Sequence, residues 1–203
     1  MTRFGSDRAG ALAMLLFVVC AAACAEDGAA NPRNQHMMTT EGVFNYYDYS
    51  PRFASSGQPT AAQLAELQAD GFQRVVYIAF SDQDRSLKAE DRIVKELGLD
   101  YIHIPVDWKA PLAREYDAFA RAMRAAPERK TLLHCQANFR ASVFALLYRV
   151  LELDVPLAQA KADMNRVWVP NVVWTQFARG VLQANGVDAD CAGCDWTPST
   201  IGD

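Results

Sequence analysis

Strand-type runs alternating with helix-period segments constrain this chain more than any other feature of it. Val75, Val76, Tyr77 and Ile78 form a nearly continuous apolar run within Gln73 to Phe80, as a strand buried on both faces requires. Tyr101 to Val106 predicts the next strand, and Thr131-Leu132-Leu133-His134 a third. Between them Asp91 to Leu97 reads as a helix, and Leu112, Tyr116, Phe119, Ala120 and Met123 fall on one face of a helix over Leu112 to Ala126. Upstream, Val43 to Tyr47 predicts an edge strand, Ser55 to Thr60 a turn, and Thr60 the cap of a helix carrying Leu64, Leu67 and Phe72. From Arg140 onward only helices are expected, divided near Asp154-Val155-Pro156 and Val169-Pro170-Asn171. Such an order implies an α/β domain, a mostly parallel central sheet flanked by helices, in which ligands bind beyond the carboxyl ends of the strands. Three loops share that edge: Ser81 to Asp84, Asp107 to Lys109, and Cys135 to Phe139.

The last of these loops carries the most chemistry. His134-Cys135-Gln136-Ala137-Asn138-Phe139-Arg140-Ala141-Ser142 joins a strand to a helix, so successive backbone N–H groups and the helix N-terminus converge on one anion. A positive field of this kind favours a thiolate over a thiol, and a nearby arginine clamps two oxygens of a tetrahedral anion. Those parts suit phosphoryl transfer through cysteine.

At these residues the chain resembles the protein tyrosine and dual-specificity phosphatases, whose signature is His-Cys, five residues, Arg, then Ser or Thr. Ser56-Gly57-Gln58-Pro59, the strand around Val75 to Ile78, Tyr101 to Val106 and the His134-Cys135 strand end look like bacterial phosphatases of dual-specificity type. The resemblance implies a dual-specificity phosphatase-like fold, a phosphate ester as substrate and a phosphocysteine intermediate, with no cofactor and no metal. Residue by residue it implies Cys135 as nucleophile, Gln136, Ala137, Asn138, Phe139 and Arg140 as the phosphate cradle, and Asp107 as general acid. It also implies His134 as support for the loop and Ser142 as a hydrogen-bond donor to the departing thiolate. Asp82 and Asp84 are rival acids on the neighbouring loop.

Only four residues separate Cys135 from Arg140. Either the loop is one residue shorter and Arg140 still reaches the phosphate, or the length to Ser142 is kept, with Asn138 at the usual glycine position and Ala141 at that of the arginine. Asparagine tolerates the left-handed backbone that the second alignment needs. Two further functions stay open beside phosphatase activity. Rhodanese-like sulfur transfer also uses a cysteine on a strand-to-helix loop, and a catalytically inactive phosphate or phosphoprotein binder would keep the loop without turnover.

Arg3 and Arg8 precede the apolar run Ala11 to Ala25, which ends in small residues and reads as a secretory signal cut before Glu26. An alternative makes Cys24 the lipidated N-terminus of a lipoprotein, the one route by which a membrane becomes a partner. Residues 26–42 read as a flexible tether, 43–186 as the phosphatase-like domain and 187–203 as a tail. The expected location is the periplasm, where Cys191 and Cys194 would pair and leave Cys135 as the free thiol. Three histidines in the whole chain, none near Cys191-Ala-Gly-Cys194, give no zinc set. A net charge of −4 provides no overall basic field, which removes nucleic acid from the partners.

Overall fold

The structure, a computed structural model, describes residues 42–200. The expected export signal and all of the tether except Gly42 lie outside the described residues. Five strands form one sheet: β1 (Tyr47–Ser50), β2 (Phe53–Ser56), β3 (Arg74–Tyr77), β4 (Asp100–His103) and β5 (Thr131–His134), in the order β1-β2-β5-β3-β4. Only β1 runs antiparallel to its neighbour; β2, β5, β3 and β4 are parallel. The helices are α1 (Ala61–Ala69), α2 (Glu90–Glu96), α3 (Ala113–Ala125), α4 (Phe139–Glu152), α5 (Leu157–Val167) and α6 (Val172–Ala184).

β5 lies at the centre of the sheet, and the register across it places the loops. His134 pairs with Ser56 on one side and Tyr77 on the other, so β2, β5 and β3 end level. The period of two then sorts the side chains to the two faces. Ala54, Val75 and Leu132 pack with Leu64 and Leu67 of α1 and Val94 of α2. Phe53, Val76 and Leu133 face the larger core built by α3 to α6. α4 is buried over most of its circumference, from Arg140 to Arg149, because the sheet, α5 and α6 all pack on it. Burial of each large apolar side chain there contributes about 1.5–3 kcal/mol. Trp168 and Trp174 belong to this core.

Two expectations need correction. The edge strand expected over Val43 to Tyr47 starts only at Tyr47, because Asn45 has a left-handed φ of 53°, which breaks an extended segment. Ser55 and Ser56, expected in a turn, are strand residues paired with Leu133 and His134. Local partners make their burial tolerable: Ser56 Oγ donates to the Gly57 carbonyl at 2.7 Å, and Ser55 Oγ lies 3.0 Å from the Tyr49 hydroxyl. The turn therefore begins at Gly57. Thr60 caps α1 as expected, its hydroxyl accepting from Gln63 N–H and its N–H donating to the Gln63 side chain.

Candidate active site

The loop after β5 takes its shape from the one residue that departs from ordinary backbone. Asn138, just before α4, has φ 66° and ψ 1°, which turns the chain sharply enough for the helix to begin at Phe139. Buttresses outside the loop hold it. The Asn138 side chain donates to the Asn45 carbonyl at 2.6 Å, while the Asn45 side chain donates to the Ala137 carbonyl at 3.0 Å. Gln58 N–H donates to the Gln136 carbonyl at 3.2 Å. With both carbonyls held, the peptide planes on either side of Ala137 are fixed. Gly57 makes the close approach possible: a Cβ there would lie 2.9 Å from the Phe44 carbonyl and 3.0 Å from that of Gln136.

A cavity of about 510 Å³ opens over this loop, lined by Cys135, Gln136, Ala137, Phe139 and Arg140, by Asp107, Trp108 and Lys109, and by Phe80 and Gln83. Cys135 is only 1% exposed and is the free thiol of the described residues. Arg140, 5% exposed, places its guanidinium carbon 5.3 Å from the centre of the Trp108 ring. Its Nε has no hydrogen-bond partner among the described residues. A buried guanidinium N–H left unpaired is costly, and an anion in the cavity would repay it. Asp107 is exposed, and its carboxylate accepts from Lys109 N–H at 2.8 Å, an Asx turn that holds the loop. The same loop is pinned from behind, where Trp174 Nε1 of α6 donates to the Trp108 carbonyl at 3.0 Å. Phe139 stacks on Trp168 with centroids 4.6 Å apart, which completes an aromatic wall.

The cavity thus gathers Cys135, Arg140 and Asp107, with Gln136, Ala137 and Phe139. It does not gather Asp82 or Asp84, which are exposed on a loop that contributes Gln83. Among the described residues no group of three His, Cys, Asp or Glu side chains is placed to hold a metal ion.

A family model described as a DSP-PTPase phosphatase fused to NAD+ kinase matches residues 29–166. The chain belongs to this family. Among solved structures, a DUF442 protein of Shewanella putrefaciens CN-32 is similar with a TM-score of 0.66 and 28% identity, over 72% of this chain and 97% of its own. Tk-PTP in its active form gives a TM-score of 0.57 at 23% identity over 70% and 95% of the two chains. TpbA of P. aeruginosa gives 0.55 at 22% over 80% and 90%, and at these identities the last two likenesses concern the fold. No curated protein sequence matches the chain.

In this DSP-PTPase-family domain the remaining motif residues lie under the cavity. His134 is fully buried, stacked on Tyr77 with centroids 4.7 Å apart, and its Nε2 is 3.2 Å from Oε1 of Glu90. Ser142 is buried in the first turn of α4, where its hydroxyl donates to the Phe139 carbonyl at 3.0 Å. Burial pushes the Tyr77 phenol up, a hydrogen bond with Ser86 opposes this, the charges of Glu90 and Cys135 add to it, and Arg140 opposes it. Cys191 and Cys194 are disulfide-bonded in the tail, where Trp196 packs into the main core. Asn45, Glu90 and Trp174 went unpredicted as site residues. Gly57 and Gln58 were visible only as part of the Ser-Gly-Gln-Pro resemblance.

Proposed function

We propose that this chain hydrolyses phosphoric monoesters through a phosphocysteine intermediate. One observation carries the reading: Cys135, Arg140 and Asp107 open on a single cavity, and the buried Arg140 Nε there lacks a partner among the described residues. Cys135 Sγ attacks phosphorus as a thiolate, and the bond from phosphorus to the ester oxygen breaks. Asp107 gives its proton to that oxygen, so the product leaves as an alcohol. Arg140 and backbone N–H groups of the loop hold the non-bridging oxygens through both steps. Water then attacks phosphorus, the P–S bond breaks, Asp107 takes the water's proton, and inorganic phosphate is released. Ser142 supports the departing thiolate, reached by turning its hydroxyl away from Phe139.

The test is hydrolysis of p-nitrophenyl phosphate by the domain, with Cys135→Ser as control. Activity in the wild type and none above background in the variant is expected. Equal rates in the two would remove Cys135 from the mechanism. The spacing of four residues between Cys135 and Arg140 motivates the second reading, an inactive phosphate or phosphoprotein binder. Phosphate binding without turnover in the wild type distinguishes it. Family membership weighs against sulfur transfer. The protein is further proposed to work outside the cytoplasm, on the strength of the charged, apolar and small-residue pattern of residues 1–25. An intact mass starting at Glu26, or at a lipidated Cys24, is expected for material from its own host, and an unprocessed cytoplasmic chain refutes it.

A further inference from the structure

We propose that Glu90 is the positioning residue of the Cys135 loop, acting through His134. The inference rests on reading Cys135 as the nucleophile. Glu90 is 4% exposed, in the first turn of α2, behind the loop rather than in its cavity. Three elements converge on its carboxylate. Oε1 accepts from Gln58 Nε2 at 2.8 Å, Oε2 accepts from the Tyr101 hydroxyl at 3.4 Å, and His134 Nε2 lies 3.2 Å from Oε1. That last approach is within ion-pair distance but off line for a hydrogen bond.

Packing alone gives no reason for a carboxylate here, since burying one costs several kcal/mol and an apolar residue of similar volume is commonly as stable or more so. The partners explain it better. Glu90 meets the Cys135 loop on both flanks, by a hydrogen bond on one and an ion-pair approach on the other. On one side is His134, bonded in sequence to Cys135. On the other is Gln58, whose backbone N–H holds the Gln136 carbonyl at 3.2 Å.

His134 has little freedom except in its proton. Tyr77 stacks on its ring, the His134 carbonyl accepts from Ile78 N–H at 3.0 Å, and Cys135 N–H donates to the Ser56 carbonyl at 3.3 Å. A carboxylate 3.2 Å from Nε2 is met at least cost by a proton on that nitrogen, which decides the tautomer. With its ring and tautomer fixed, His134 holds the start of the loop, and with it the Cys135 backbone, in one geometry. Tyr77, stacked on His134, stands within the electrostatic reach of Glu90, Cys135 and Arg140 together.

The test measures iodoacetamide alkylation of Cys135 at one pH near neutrality, which needs no substrate and is independent of phosphatase turnover. Glu90→Gln and His134→Gln should each slow alkylation about tenfold, equivalent to about 1.4 kcal/mol, about the size of one hydrogen bond to a charged group. The double variant should be no slower than the slower single one, since the two residues act as a unit. Multiplying effects, or an unchanged alkylation rate in a folded Glu90→Gln with a lowered melting midpoint, would make Glu90 merely structural and overturn the proposal. If Glu90→Gln does not fold, the wild type still decides, through the imidazole nitrogen resonances of His134. A proton on Nε2 is expected, and a bare Nε2 facing Glu90 refutes the inference. Failure of p-nitrophenyl phosphate hydrolysis in the wild type, with these alkylation effects present, would sink the phosphatase reading and leave Glu90's role standing.

Discussion

Replacing Asn138 with glycine and with alanine separates the two contributions its side chain makes to the Cys135 loop. The residue is fully buried at φ 66°, where a side chain with a Cβ carries a cost of about 1–2 kcal/mol that asparagine partly escapes and glycine avoids. Its Nδ2 donates to the Asn45 carbonyl at 2.6 Å, and leaving that acceptor unpaired costs about 1–3 kcal/mol. Glycine loses the hydrogen bond and gains backbone freedom, so Asn138→Gly should be less stable than wild type by about 1–2 kcal/mol. Alanine loses the bond and keeps the strain, so Asn138→Ala should be less stable by about 2–4 kcal/mol. Asn138→Asp turns a donor into an acceptor against the Asn45 carbonyl and should be no better than alanine. Urea denaturation reads the order directly, provided the m-values agree. Equal stability of the glycine and alanine variants would show that the left-handed backbone carries no strain. A glycine variant more stable than wild type would show that the bond to Asn45 contributes nothing.

Gly57→Ala should destabilise the fold by about 1–3 kcal/mol and raise KM, because the new Cβ meets two carbonyls, those of Phe44 and Gln136, that cannot swing aside as the Phe44 ring can; urea denaturation and steady-state kinetics measure both. Asp107→Asn should lose far more activity on phenyl phosphate than on p-nitrophenyl phosphate, whose leaving group needs no proton, and Asp82→Asn and Asp84→Asn should show no such dependence. The opposite pattern moves the acid to the other loop. Alkali should unfold the domain: the tyrosines at 46, 47, 49, 77, 101, 116 and 148 are all raised, each chiefly by burial. Folded tyrosines hold their protons when unfolded ones lose them near pH 10, so this stability is complete below about pH 10 and declines above it. Phenolate absorbance should therefore appear together with loss of helical circular dichroism, and phenolate appearing well before unfolding would contradict it.

The central sheet was legible because its signals are local and strong. Val75 to Tyr77 and Thr131 to His134 are buried on both faces, and an apolar run announces that without reference to the rest of the chain. β2 was not legible. Its Ser55 and Ser56 look like turn residues, and only their pairing with Leu133 and His134 makes them strand. Asn45 failed for the same reason, since its partners are 92 and 93 residues away and no spacing marks them. In the site, the strand-end cysteine and the loop carrying Asp107 followed from topology alone. Glu90 did not, because an acidic residue in the first turn of a helix is ordinary, and only burial beside His134 distinguishes it.

Between the two alignments of the Cys135 loop, the geometry takes one part from each. Asn138 has the left-handed backbone of the longer alignment, yet Arg140 rather than Ala141 lines the cavity. The helix makes these compatible. Successive residues on α4 point about 100° apart, and with the helix starting at Phe139 the cavity takes Phe139 and Arg140 while position 141 turns away from it. Ala141 faces the other way, fully buried in the main core. An arginine at 141 would bury its charge among apolar side chains at a cost of several kcal/mol, which makes the small residue at 141 and the arginine at 140 a single adaptation. Trp108 completes it, with its ring 5.3 Å from the guanidinium carbon in a contact worth about 0.5–2 kcal/mol. Counting residues between cysteine and arginine misses all of this, because what aims the arginine is the rotational phase of α4, and that phase is set by the positive φ of Asn138.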